Sequence, residues 1–175
     1  MYAAILLTLL AFPADLVSGP QVGKKIYPYT ALIATGPNRG TSHCYVCETE
    51  DDPAVIILAR ASSEPLGQLV KQVDQLLLKH QKEKLHGWVT FVGMKQPAQE
   101  PEIVSWGKKH GLKTMSLGIY EPTEGPPGYK LNTEAEITIL LVKQSKVVHN
   151  FAFPAKGLTA AETKKILELV PALVK

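Results

Sequence analysis

The run Ala54-Val55-Ile56-Ile57-Leu58-Ala59 is the feature that most restricts what this chain can become. Six consecutive apolar residues, three of them β-branched, leave no polar face for solvent, which is the pattern of a strand covered on both sides. Such a central strand needs packed layers on both faces, and the next segment supplies one. Ser63 is placed to cap a helix that carries Glu64 and Pro65 in its first turn, and Leu66, Leu69, Val70, Val73, Leu76 and Leu77 recur along one face.

The remaining segments alternate in the same way. Residues 30–35 form a short strand candidate, ended by the turn Gly36-Pro37-Asn38-Arg39-Gly40. Residues 87–92 supply a further strand, and 101–110 a helix stopped by Gly111. Residues 116–120 read as a short strand, followed by a Pro/Gly-rich stretch over 121–132. Residues 136–142 and 146–153 lie close enough to pair as an antiparallel hairpin through Gln144-Ser145. Thr159 and Glu162 make a capping box for a last helix whose apolar face is Ile166, Leu167, Val170 and Val174. The order defines an α/β domain with a central mixed sheet flanked by helices.

Composition fits one globular domain, with 45% hydrophobic and 20% charged residues in 175. The 19 basic and 16 acidic residues are interleaved, without the Lys/Arg stripe a phosphate backbone requires, so nucleic acid is not an expected partner. Residues 3–12 are an apolar run of signal-peptide length and too short to span a bilayer. Residues 1–19 are read as a signal peptide, cleaved near Ala14 or Ser18, and 20–175 as the domain; the alternative for the apolar run is a buried N-terminal strand or helix. No stable membrane span is expected after processing. A secreted or periplasmic location follows, where paired cysteines tend to be oxidised.

Several stretches resemble the thioredoxin-like superfamily, in particular its peroxiredoxin and thiol-peroxidase branch. Val22-Gly23-Lys24-Lys25-Ile26-Tyr27-Pro28-Tyr29 is similar to the opening segment of that branch. Gly128-Tyr129-Lys130-Leu131, then Ile137 to Leu141 and Lys146-Val147-Val148, are similar to its later part. The resemblance implies a thioredoxin-like fold over residues 20–175. It places the reactive cysteine just after the first central strand, yet that position reads Arg60-Ala61-Ser62-Ser63-Glu64-Pro65. Ile137 stands where the family has a cis-proline, and near Glu136 the peroxide-activating arginine is replaced. Peroxidase chemistry at the usual site is not expected. By analogy with the partner surface near that proline loop, Tyr129 is a candidate for lining a peptide groove.

The only two cysteines, Cys44 and Cys47, instead lie ahead of the central strand. A six-residue strand spans roughly 20 Å, so the pair is expected at the opposite end of the sheet from the usual site. An extended chain would hold their Cα atoms about 10 Å apart, beyond disulfide reach, so the segment must turn although Tyr45-Val46 favours extension. Three readings stay open. The first is thiol-disulfide exchange or electron relay with a protein thiol partner, with Cys44 as the attacking thiol, His43 beside it and Cys47 resolving. On this reading no helix N-terminus adjoins the pair. The second is a soft-metal site for copper or zinc on Cys44, Cys47 and His43, whose donor count falls short of four. In the third the disulfide staples a loop of a binding module. Trp88 and Trp106 read as core aromatics, Ser63 as a helix cap, and Asp51 and Asp52 as loop solvation. His80, His86, His110 and His149 are scattered, without metal-ligand spacing.

Overall fold

In a computed structural model, residues 16–95 and 97–175 are described, and seven strands form one mixed sheet. The strands are β1 (Ala31–Ile33), β2 (Ser42–His43), β3 (Ala54–Ala59), β4 (His86–Val92), β5 (Ser116–Tyr120), β6 (Ile137–Lys143) and β7 (Lys146–Phe153). Their order across the sheet is β2-β1-β5-β4-β3-β6-β7. The middle three run parallel, and β1 and β6 pair with them antiparallel. All six residues of β3 are buried, as its unbroken apolar run requires.

The helices are α1 (Tyr45–Thr49), α2 (Glu64–Lys79), α3 (Glu100–His110) and α4 (Ala160–Leu169). Alternation along β3 sends Val55, Ile57 and Ala59 to one face and Ala54, Ile56 and Leu58 to the other. The first face is covered by α2, α3 and α4 through Leu66, Leu69, Ile103, Trp106 and Ile166. The second is covered mainly by irregular chain, with Ile26, Tyr29 and Tyr129, and by Val46 of α1. Both layers exist, but only the first is built of long helices.

The hairpin joins at Gln144 and Ser145, both at positive φ (53° and 58°), as a two-residue turn matching strand twist requires. Two local expectations are corrected. Ser63 does precede α2, but its hydroxyl makes no cap bond; the start is set by its carbonyl accepting from Gly67 N–H at 3.0 Å and by Pro65. The last helix does not continue to Val174, because Pro171 lacks an N–H and the chain tightens into a 3₁₀ turn over Val170–Val174. Thr159 does cap α4, accepting from Glu162 N–H at 3.3 Å.

Residues 1–15 and Gln96 lie outside the described residues, and with them most of the expected signal peptide. Ser18 belongs to the packed structure at 1% exposure. Its hydroxyl shares a 2.7 Å hydrogen bond with Thr138 Oγ1 and accepts from Asn132 N–H at 3.1 Å. No helix among the described residues is long and apolar enough to cross a membrane.

Candidate functional site at the N-terminal end of the sheet

The turn after β1 reverses the chain with Gly36 at φ 92° and Gly40 at φ 79°, values that favour glycine. β2 then pairs with β1, placing His43 opposite Ala31. A two-residue strand has no pattern of its own in the sequence, and its existence depends on this pairing. Cys44 follows as the N-cap of α1. The helix is held by Glu48 N–H donating to the Cys44 carbonyl at 3.2 Å and by the Thr49 hydroxyl donating to the Tyr45 carbonyl at 2.9 Å. Val46 is buried against the second core, which fixes how the helix is rotated.

This helical turn brings the cysteines together. Cys44 and Cys47 form a disulfide with a Cα–Cα distance of 5.3 Å, within the range such a bond allows. The turn that the spacing demanded is helical, and the extended preference of Tyr45-Val46 is overridden by packing. The expectation that no helix N-terminus adjoins the pair is also corrected, since Cys44 caps one. Cys47 N–H donates to Cys44 Sγ at 3.2 Å. The two sulfurs have unequal surroundings: Cys44 is half-buried against the second core, and Cys47 is exposed.

His43 lies beside the pair. Its Nε2 makes a 2.6 Å hydrogen bond with Glu48 Oε2, and its ring meets Tyr45 edge-on at 4.7 Å. Tyr45 stacks on Trp88 with centroids 5.5 Å apart. Trp88 Nε1 donates to Tyr29 Oη at 3.0 Å, and Tyr29 Oη shares a 2.8 Å bond with Thr90. Burial pushes the Tyr29 hydroxyl up to about 12 despite these two hydrogen bonds. Tyr129 shifts in the same direction, chiefly through burial and secondarily through Tyr29. Sequence reasoning missed Glu48 and Tyr45; the one available signal for Glu48 was its spacing of four from Cys44, one helical turn. A recess of about 380 Å³ adjoins α1, lined in part by Tyr45, Glu48, Lys84, His86 and Trp88.

The pair is separate from the place where the resemblance puts the usual site. α1 leads into the first residue of β3, where Ala54 pairs with His86, whereas the usual site follows the last, Ala59. There, the Arg60 side chain donates to the carbonyls of Ala135 (3.1 Å), Thr123 (2.7 Å) and Asn132 (3.4 Å). Ile137 pairs with Ala59 at this end, and Ser62 Oγ donates to Glu102 at 2.7 Å. No thiol is present there, because both cysteines of the chain are in the disulfide.

Other candidates resolve differently. Tyr129 lines no groove: it is fully buried, packs edge-on against Tyr29 at 5.3 Å and donates to the Tyr27 carbonyl at 3.0 Å. Asp51 accepts from Ser145 Oγ at 2.7 Å, and Asp52 lies 3.4 Å from His86 and 3.8 Å from Lys84, so both do more than solvate a loop. Trp88 and Trp106 are core residues, at 2% and 7% exposure. Among the described residues no three His, Cys, Asp or Glu side chains gather as a metal-holding group.

No family model matches the chain, and the search of curated proteins gives no match. Solved structures do match. One, from Chlorobium tepidum and provisionally named the thiol:disulfide interchange protein DsbE, has 12% identity and a TM-score of 0.66, covering 92% of this chain and 100% of that one. A secreted disulfide oxidoreductase of Mycobacterium tuberculosis homologous to DsbE has 10% identity and a TM-score of 0.61, covering 83% and 96%. Peroxidoxin BcpB of the same organism has 12% identity and a TM-score of 0.59, covering 88% and 98%. The chain therefore has the thioredoxin-like fold. Within that fold this chain carries its CxxC pair ahead of the central strand.

Proposed function

We propose that this chain is a thiol-disulfide exchange or electron-relay protein whose working pair is Cys44 and Cys47, acting on protein thiols in an oxidising compartment outside the cytoplasm. The observation that carries this reading is the disulfide itself, closed within one helical turn and presenting Cys47 to solvent. A bond that spans so few residues removes less chain entropy than one closing a long loop, so stapling is a weak reason for its presence. Three of its surroundings suit exchange: an N–H aimed at one sulfur, an imidazole beside the pair and an exposed second sulfur. The fold's likeness to structures named for thiol:disulfide interchange agrees with this reading.

The competing reading, a binding module in which the pair is structural, draws on the packing of Cys44 against the apolar core. A disulfide reductase assay separates the two. Cys44→Ser and Cys47→Ser should each abolish activity while far-UV circular dichroism stays unchanged. A wild type without activity, or variants that retain it, would assign the pair to structure. For the oxidising location, processing at Ala14 rather than after Ser18 fits, since Ser18 is held by Thr138 and Asn132.

A further inference from the structure

The two sulfurs of the disulfide have unequal surroundings. We propose, building on the exchange reading, that a partner thiol attacks Cys47 and that Cys44 is the sulfur that leaves. Exposure argues for it first. In-line approach to a disulfide sulfur needs open space, which Cys47 has and Cys44, half-buried against the second core, lacks. Leaving-group stability argues for it independently. The sulfur that departs carries the negative charge, and Cys44 Sγ already accepts Cys47 N–H at 3.2 Å. A hydrogen bond to the charged form favours that form, so Cys44 is the better thiolate and the faster leaving group. Both effects point the same way.

In the first step a partner thiolate RS⁻ forms a bond to Cys47 Sγ. The Cys44–Cys47 bond breaks, and its electron pair goes to Cys44 Sγ, which holds the charge against Cys47 N–H or takes a proton from solvent. In the second step another thiolate of the partner attacks the partner's own sulfur in the mixed disulfide. That releases Cys47 as a thiolate and leaves the partner oxidised, with two thiols consumed and one disulfide of this chain reduced. In reverse, Cys47 is the thiol that attacks a partner disulfide and Cys44 the one that resolves it.

Trapping on the unmodified full-length protein tests this. Oxidised protein is exposed briefly to reduced glutathione, quenched in acid and alkylated with N-ethylmaleimide. Trypsin then releases residues 40–60 as one peptide carrying both cysteines, and fragmentation between Tyr45 and Val46 locates each adduct. The expected result is glutathione on Cys47 and N-ethylmaleimide on Cys44, in roughly tenfold excess over the opposite pattern, as sulfur selectivity of this kind allows. Glutathione mainly on Cys44, or spread equally over both, would overturn the assignment while leaving exchange intact. If neither glutathione nor dithiothreitol opens the bond in the folded protein, the exchange reading and this assignment fall together. Cys44→Ser and Cys47→Ser give a second readout: with an aromatic disulfide reagent, the variant retaining Cys47 should form the mixed disulfide faster.

Discussion

Tyr45 stacks on Trp88, with ring centroids 5.5 Å apart and planes 29° from parallel. This contact fastens the five-residue helix carrying the disulfide to β4 in the middle of the sheet. So short a helix has almost no stability of its own, so tertiary contacts must hold it. Val46 supplies one anchor in the apolar core and Tyr45 the other.

Tyr45→Ala should therefore loosen α1 and cost about 2–3 kcal/mol in urea unfolding, with Tyr45→Phe close to wild type. The same contact makes Trp88 a reporter. Reducing the neighbouring disulfide should change its emission, and Trp88→Phe should remove the change. Trp106, on the opposite face of the sheet, should contribute nothing.

Asp74 ties α2 to the start of β5. At 3% exposure, it accepts N–H bonds from Lys113 (3.0 Å), Thr114 (2.7 Å) and Met115 (2.6 Å), and the Thr114 hydroxyl at 2.8 Å. Asp74→Ala leaves these donors without their carboxylate and should lower stability by about 3–5 kcal/mol, read from the urea midpoint. Asp74→Asn keeps one acceptor oxygen and should cost less.

Alkaline pH should destabilise the fold through Tyr29. Its hydroxyl is held protonated to about 12, above the ordinary 10.0, because burial disfavours the charged form. The folded state then binds the proton more tightly than the unfolded one. The contribution is complete below pH 10 and is lost as pH rises toward 12, amounting to about 2–3 kcal/mol. Urea titrations across that window should show stability falling with pH, and Tyr29→Phe should flatten the slope. Tyr129, shifted the same way, should supply what remains.

If the segment before the domain is removed, the buried hydroxyl of Ser18 requires the cut to fall ahead of it. The mature protein should begin before Ser18, by mass or by terminal sequencing, and Thr138→Val should weaken the segment's attachment by roughly 1 kcal/mol.

Most of the fold was legible because its elements carry strong patterns. The unbroken run 54–59, the helical spacing from Leu66 to Leu77 and the close hairpin strands each specify an element without reference to the rest of the chain. The site was less legible because its elements are tertiary products. β2 exists by pairing with β1, and α1 exists because Val46 and Tyr45 are packed, against the extended preference of those residues. Burial of Tyr129 was hidden for a similar reason: the Tyr27 carbonyl that satisfies its hydroxyl lies 102 residues away in sequence. Ser63 looked like a capping serine because composition shows the residue type but not where its hydroxyl points.

The account stands most directly on the reducibility of Cys44–Cys47 in the folded protein. Intact mass should be taken on the processed protein as isolated, and again after mild reduction and thiol alkylation under native conditions. The account predicts no alkyl group before reduction and two after it, with circular dichroism unchanged. Free thiols as isolated, or a disulfide that opens only when the protein unfolds, would contradict it.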